Sequence, residues 1–174
     1  MASKLARDKI PTLLHALNDE LAAADVKGHV QVAGGAVMCL ALDARAATRD
    51  VDAVFRPARQ VLEAALRVAA RHGVPDTWLN DAVQAYCSDR GTWAPFLDLP
   101  NLKVFVATPE YMLAMKCLAM RMGEGYRDEE DIRYLLRNLG LQRYDDAAEI
   151  LGRYYPIEDF PETALLALRE ILGG

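Results

Sequence analysis

Ala33-Gly34-Gly35-Ala36, followed by Thr48-Arg49-Asp50-Val51-Asp52-Ala53-Val54-Phe55, is the stretch on which the reading of this chain turns. Val30 and Val32 ahead of the glycines have the alternation of a buried strand end. Two adjacent glycines let the backbone turn sharply and present N–H groups at the start of a helix. Such a turn can hold a phosphate. Asp50 and Asp52 lie two apart in a strand pattern whose intervening Val51, Ala53 and Phe55 point the other way, so the spacing predicts both carboxylates on one face. Two carboxylates on one edge suit Mg²⁺, with Mn²⁺ as its nearest substitute, because such ions take oxygen ligands and leave remaining positions to water and substrate phosphate. Turn and acids together describe a site for a metal-bound nucleoside triphosphate.

Working outward, Leu13, Leu14, Leu17 and Leu21 recur at helical spacing after Pro11, which predicts a helix over about 10–24 that ends at Lys27-Gly28. A strand at 29–33 leads through the glycines into a helix near 35–43, and the acids open a strand at 51–55. Val61, Leu62, Ala65, Leu66 and Ala69 make an amphipathic helix that stops before Gly73 and Pro75. Residues 76–101, with Trp78, Trp93, Pro95 and Pro100, read as a loop holding one short helix around 79–86. Lys103-Val104-Phe105-Val106 is a third strand closed by Thr108-Pro109. Everything beyond is helical, with breaks near Gly123–Gly125, Gly140 and Pro156–Pro161. The expectation is an α/β (α+β) chain: three strands with flanking helices over residues 1–107, whose order and direction periodicity leaves open and which the family resemblance given below implies to be a small mixed sheet, and a helical bundle over 108–174 packed on it as a single compact unit.

At 174 residues and 52% hydrophobic, the chain can bury one sizeable core. No apolar run has the length of a membrane span and the N-terminus lacks a signal-peptide pattern, so a cytoplasmic protein with no membrane partner is expected. Cys39, Cys87 and Cys117 are widely spaced among apolar neighbours, as reduced core thiols would be, and His15, His29 and His72 are scattered. The net charge of −5 resides in residues 144–174, which leaves the first 143 residues neutral and advertises no basic nucleic-acid surface. Arg56, Arg59, Arg67 and Arg71 could line one side of the helix after the acids, or simply form its solvated face.

A second motif lies in Thr108–Arg121. Lys116 is the single charge between Tyr111 and Met120, on the side of Met112, Ala119 and Met120. Two readings stand: a snorkelling lysine that reaches water, or a cation aimed at triphosphate oxygens. Arg127-Asp128-Glu129-Glu130-Asp131 opens the next helix, whose stripe is Ile132, Leu135, Leu136 and Leu139. Acids complement the dipole of a first turn, and Asp128 fits an N-cap. Asp131, one turn before Leu135, borders the stripe and calls for a cation, for which Lys116 is the natural candidate.

The Gly-Gly turn with a following Asp-x-Asp resembles the signature of the nucleotidyltransferase superfamily that includes DNA polymerase beta, with a spacer, residues 36–49, at the long end. Lys116, Ala119, Arg121, Arg127-Asp128 and Asp131-Ile132 resemble the helical motif of one branch of that superfamily: the AbiEii and MenT toxins of type IV toxin–antitoxin pairs and their bacterial relatives. The resemblance spans about residues 30–140. It implies that Asp50 and Asp52 bind metal, that Gly34, Gly35 and Thr48 bind nucleotide, and that Lys116 and Asp131 are the distal catalytic pair, with Lys116 pointing to the cleft lined by the two aspartates. A third carboxylate is absent from Lys103–Ala107; Asp131, or else Asp81 in Trp78-Leu79-Asn80-Asp81, would take that place.

The implied activity is Mg²⁺-dependent transfer of a nucleoside monophosphate from an NTP to an acceptor hydroxyl. As a toxin it would act on the tRNA 3′ end beside a cognate antitoxin protein. The alternatives are a small-molecule acceptor of the antibiotic kind, and a nucleotide-binding or protein-interaction module that has lost catalysis.

Overall fold

The computed structural model describes residues 4–121 and 127–174, so the expected break near Gly123–Gly125 lies outside the described residues. The chain divides into two compact units: Met1–Ala85 with Trp93–Ala107, and Tyr86–Thr92 with Thr108–Gly174. The segment Tyr86–Thr92 thus groups with the helices and not with the sheet.

The first unit is built on the strand β2 (Gly28–Ala33). Around it lie β4 (Val51–Arg56), β5 (Leu79–Asn80), β6 (Trp93–Asp98) and β7 (Leu102–Ala107), in the order β5-β4-β2-β7-β6. β2 runs antiparallel to β4 and parallel to β7; β4 and β5 are parallel, β6 and β7 antiparallel. Register sets Val30 opposite Phe55 and Val104, and Val32 opposite Ala53 and Val106, so one face is a buried apolar sheet. The helices α1 (Lys9–Ala23) and α3 (Ala58–His72) pack together and against that sheet. α1 buries Ile10, Leu13, Leu14, Leu17 and Leu21, the predicted stripe. On the other sheet face His29, Gln31, Asp52, Val54 and Phe105 are half-buried, and Arg56 and Lys103 are exposed. A separate two-stranded ladder joins β1 (Leu5–Ala6) to β3 (Ala47–Thr48).

Five strands stand where three were expected. β5 is two residues long, too short for alternation to register, and β6 carries Pro95. Proline loses a ladder donor, and here it sits in an edge strand beside an irregularity between Pro95 and Leu97, where that loss is tolerated. The short helix expected at 79–86 is a 3₁₀ turn over Ala82–Tyr86. In α3 the buried side is Val61, Ala64, Ala65, Val68 and Ala69, while Leu62 and Leu66 are exposed. A face of small residues lets the helix lie close to its neighbours, and the larger leucines fall outside it. The buried Glu20 of α1 takes Arg67 at 2.8 Å and Arg71 at 2.5 Å from α3, and Arg59 pairs with Glu63.

The second unit contains α4 (Pro109–Leu118), α5 (Asp128–Asn138), α6 (Tyr144–Tyr154) and α7 (Glu162–Leu172), which pack together. Thr108 caps α4, its hydroxyl accepting from the Tyr111 N–H at 3.4 Å, and Pro109 occupies the first turn, where no backbone donor is missed. Tyr111 stacks on Tyr154 with ring centres 4.9 Å apart. Its hydroxyl accepts from the Ser88 N–H at 2.7 Å, and the Ser88 hydroxyl donates to the Tyr154 carbonyl. These bonds explain why Tyr86–Thr92 belongs to the helical unit. Cys39 and Cys117 are buried, as expected of core thiols, whereas Cys87 is half-buried, and burial pushes Cys117 up to about 12. Among the described residues no helix is long and apolar enough to cross a membrane.

Candidate functional site

Three segments of the sheet unit meet at the N-terminal end of β4. Asp52 is the second residue of β4, with Ala33 of β2 on one side and Asn80 of β5 on the other. Asp50 lies just before the strand rather than in it. The chain leaves β2 at Ala33 and enters α2 (Gly34–Leu40) at once.

Gly34 has φ +65, and a Cβ there would stand 2.8 Å from Asp52 Oδ2. That left-handed conformation and that space both call for glycine. At Gly35 a Cβ would meet the Thr48 hydroxyl at 2.6 Å and Arg45 Nη1 at 3.1 Å. The two glycines therefore bring backbone against an acid, a hydroxyl and a guanidinium from a separate part of the chain. Thr48 is buried on β3 and donates to the Asp50 carbonyl at 3.3 Å. Arg45 is placed by the loop before β3, where its own carbonyl accepts two bonds from Arg7, at 2.7 and 3.2 Å.

Burial pushes the Asp50 carboxyl up from its ordinary value, opposed by the Arg49 charge and by a hydrogen bond from the Asn80 side chain. Sequence reasoning missed Arg45 and Asn80. Arg45 lies inside the spacer and Asn80 next to the acid that drew attention, Asp81. Asp81 itself is exposed, and its carbonyl accepts from the Gln84 N–H in the 3₁₀ turn.

As a test of fit for a divalent cation, the donor set is Asp50 and Asp52, with one residue between them, and the Gly34 backbone beside Asp52. Among the described residues no group of three or more His, Cys, Asp or Glu side chains is arranged to hold a metal. Two carboxylates with positions left over for water and phosphate oxygens fit Mg²⁺, which rarely uses an all-protein cage.

The helical unit holds the other predicted pair. Lys116 Nζ lies 2.8 Å from Asp131 Oδ2 and 3.5 Å from Asp128 Oδ1, with side chains 14%, 4% and 5% exposed. The lysine does not snorkel freely into water. Asp128 is the first residue of α5 and not its N-cap, which is Arg127 without a side-chain cap bond. Instead Asp128 Oδ2 accepts from the Arg121 N–H at 3.0 Å and from Arg121 Nε at 3.1 Å. Burial alone would raise the Asp128 carboxyl, but the Arg121 bonds and the Lys116 charge outweigh it and hold it below the usual value.

Set against models of known protein families, curated proteins and solved structures, the chain gives no significant match. The fold itself is a mixed α/β arrangement: a five-stranded mixed sheet with flanking helices, followed by a group of packed helices.

Proposed function

We propose that the protein is a nucleotidyltransferase that moves a nucleoside monophosphate from an NTP to an acceptor hydroxyl. One observation carries the proposal: Gly34, in a left-handed conformation, lies so close to the Asp52 carboxylate that a Cβ there would stand 2.8 Å from its Oδ2. A glycine turn beside an acid pair is what recognition of a metal-bound triphosphate requires.

In this reading Asp50 and Asp52 hold Mg²⁺ or Mn²⁺. When bound, that ion neutralises phosphate charge and orients the attacking and leaving oxygens. The Gly34 and Gly35 N–H groups and the Arg45 guanidinium bind phosphate oxygens as donors. Thr48 secures the turn through the Asp50 carbonyl. The acceptor oxygen forms a bond to the α-phosphorus, the bond from that phosphorus to the β-phosphate bridge oxygen breaks, and pyrophosphate leaves with its electron pair. The hydroxyl proton passes to a base, a duty for which the family resemblance nominates Asp131. Within the helical unit, Asp131 and Asp128 already engage Lys116, so a catalytic duty for that group must be measured apart from a structural one.

For the acceptor, the ion pairs of α3 favour a small molecule over nucleic acid. Of Arg56, Arg59, Arg67 and Arg71, the candidates for a basic stripe, the last three are paired with Glu63 and Glu20, and Arg56 is exposed. A tRNA end as acceptor would need another basic surface.

Incubating the protein with each α-³²P-labelled NTP and Mg²⁺, with total RNA and with small metabolites as separate acceptors, tests both points. Labelled small-molecule product with the parent and none with Asp52→Ala supports the proposal. Label on RNA transfers the proposal to a nucleic-acid acceptor. No product with any NTP, together with no NTP-dependent melting shift, refutes it.

A further inference from the structure

The sheet face opposite α1 and α3 carries a row of basic side chains across three strands. Register sets His29 of β2 between Arg56 of β4 and Lys103 of β7, all three on that face. Strands stand about 4.8 Å apart, so Arg56 and Lys103 flank the imidazole with roughly 10 Å between their backbones. Like charges brought together on a sheet repel. Among the described residues no ion pair relieves Arg56 or Lys103; Asp98 of β6 faces Lys103 across the ladder, and no acid is paired with Arg56. The His29 ring lies against Phe105 with centres 4.8 Å apart. Burial first, then the Arg56 and Lys103 charges, hold the imidazole below its ordinary value, so it is neutral at pH 7.

This row and the candidate metal ligand share one face. Arg56 lies four residues beyond Asp52 on β4, roughly 13 Å along the strand at about 3.3 Å per residue. Between them Gln31 is paired with Val54 on one side and Phe105 on the other, an apolar floor with one amide. We propose that Arg56, His29 and Lys103 form the anion subsite of the acceptor, which is a small molecule with an anionic group about 13 Å from the hydroxyl that receives the nucleotide. This inference rests on the nucleotidyltransferase reading above. The number of cations decides the size class: two of them match one phosphate or carboxylate, whereas a nucleic-acid backbone is typically gripped at about 6–10 phosphates. The Arg56 guanidinium suits a planar or tetrahedral oxyanion through paired N–H donors. His29 adds a ring N–H while neutral, and a charge once an anion raises its pKa.

The probe is inorganic phosphate, titrated into the full-length protein at constant ionic strength. It is read from the imidazole resonances of His15, His29 and His72, with His29→Gln to assign the signal. Phosphate should move the His29 resonance and raise its pKa while His15 and His72 stay in place, because a bound anion offsets the two cations that lower it. Arg56→Gln and Lys103→Gln should each weaken phosphate about tenfold without lowering the urea midpoint, since each removes one member of a repelling pair. In transfer assays with a small-metabolite extract, both variants should need about tenfold more extract for half-maximal product, at an unchanged KM for the NTP. Acceptor activity should be retained when the extract is passed over an anion exchanger. Its loss after alkaline phosphatase treatment of the extract marks a phosphate monoester, and its survival a carboxylate; either supports the subsite. A His29 signal that phosphate leaves unmoved, or moves with equal affinity in the two variants, overturns the subsite alone, as does acceptor activity confined to the unretained fraction or to RNA. Phosphate bound at His29 by a protein that transfers no nucleotide from any NTP refutes the reading above, and the acceptor assignment with it.

Discussion

Replacing Lys116 by Met asks whether the buried charge cluster of the helical unit is what the geometry says it is. The ammonium lies 2.8 Å from Asp131 and 3.5 Å from Asp128, and all three side chains are largely removed from water. Deleting one partner of a buried pair costs about 3–5 kcal/mol, because the other is left charged and unpaired. Two features lower the figure here. Asp128 retains Arg121, and Asp131 lies in the first turn of α5, where the helix dipole returns about 0.3–1 kcal/mol. Methionine also keeps most of the packing of the lysine stem. A loss of about 2–3 kcal/mol is expected on these grounds. Neutralising the stranded acid in Lys116→Met/Asp131→Asn should recover at least half of it.

Urea unfolding followed by far-ultraviolet circular dichroism reports the helices. Tryptophan fluorescence reports the sheet unit alone, since Trp78 and Trp93 both belong to it. A loss below about 0.5 kcal/mol, the range of ordinary surface substitutions, with no recovery in the double variant, would refute the argument and restore the snorkelling lysine.

Gly34→Ala should cost the sheet unit about 1–2 kcal/mol from the left-handed backbone alone. It should also weaken Mn²⁺ binding, because the new methyl displaces the Asp52 carboxylate 2.8 Å away; equal Mn²⁺ affinity in parent and variant would contradict the placement. Asp52→Ala should leave the fluorescence-detected unfolding within about 1 kcal/mol of the parent while abolishing transfer and any Mg²⁺-NTP-dependent rise in melting temperature. A mutant still stabilised by Mg²⁺-NTP would place the ligand elsewhere. Asp128, held below its usual value, stabilises the fold fully above the unfolded carboxyl value of about 3.9 and loses that contribution as pH falls through the lower folded value. Parent and Asp128→Asn should therefore converge in urea midpoint as acid is added, and a gap that widens would reverse the assignment.

Much of the framework was legible in the residues themselves. Leu13, Leu14, Leu17 and Leu21 are spaced for a helix, Val30 and Val32 for a strand, and Thr108-Pro109 for a helix start, because each pattern encodes burial or hydrogen bonding within a few residues of itself. Where the sequence carried two signals at once, local reading failed. Pro95 concealed β6, whose strand character depends on lying at an edge, and Leu62 and Leu66 looked like core although the alanines of α3 are what pack.

The candidate site divides the same way. Gly34, Gly35, Asp50 and Asp52 could be named from their order and spacing. What each of them lies beside was decided by the fold: β4 lies between β2 and β5, so Asp52 acquires Ala33 and Asn80 as neighbours, and the loop before β3 brings Arg45 against Gly35. Lys116, Asp128 and Asp131 could be named as charges near an apolar stripe. That neither acid caps the helix and that both pair with the lysine was decided by the depth at which α4 and α5 bury them, and burial depth is a property of packing that no single segment contains.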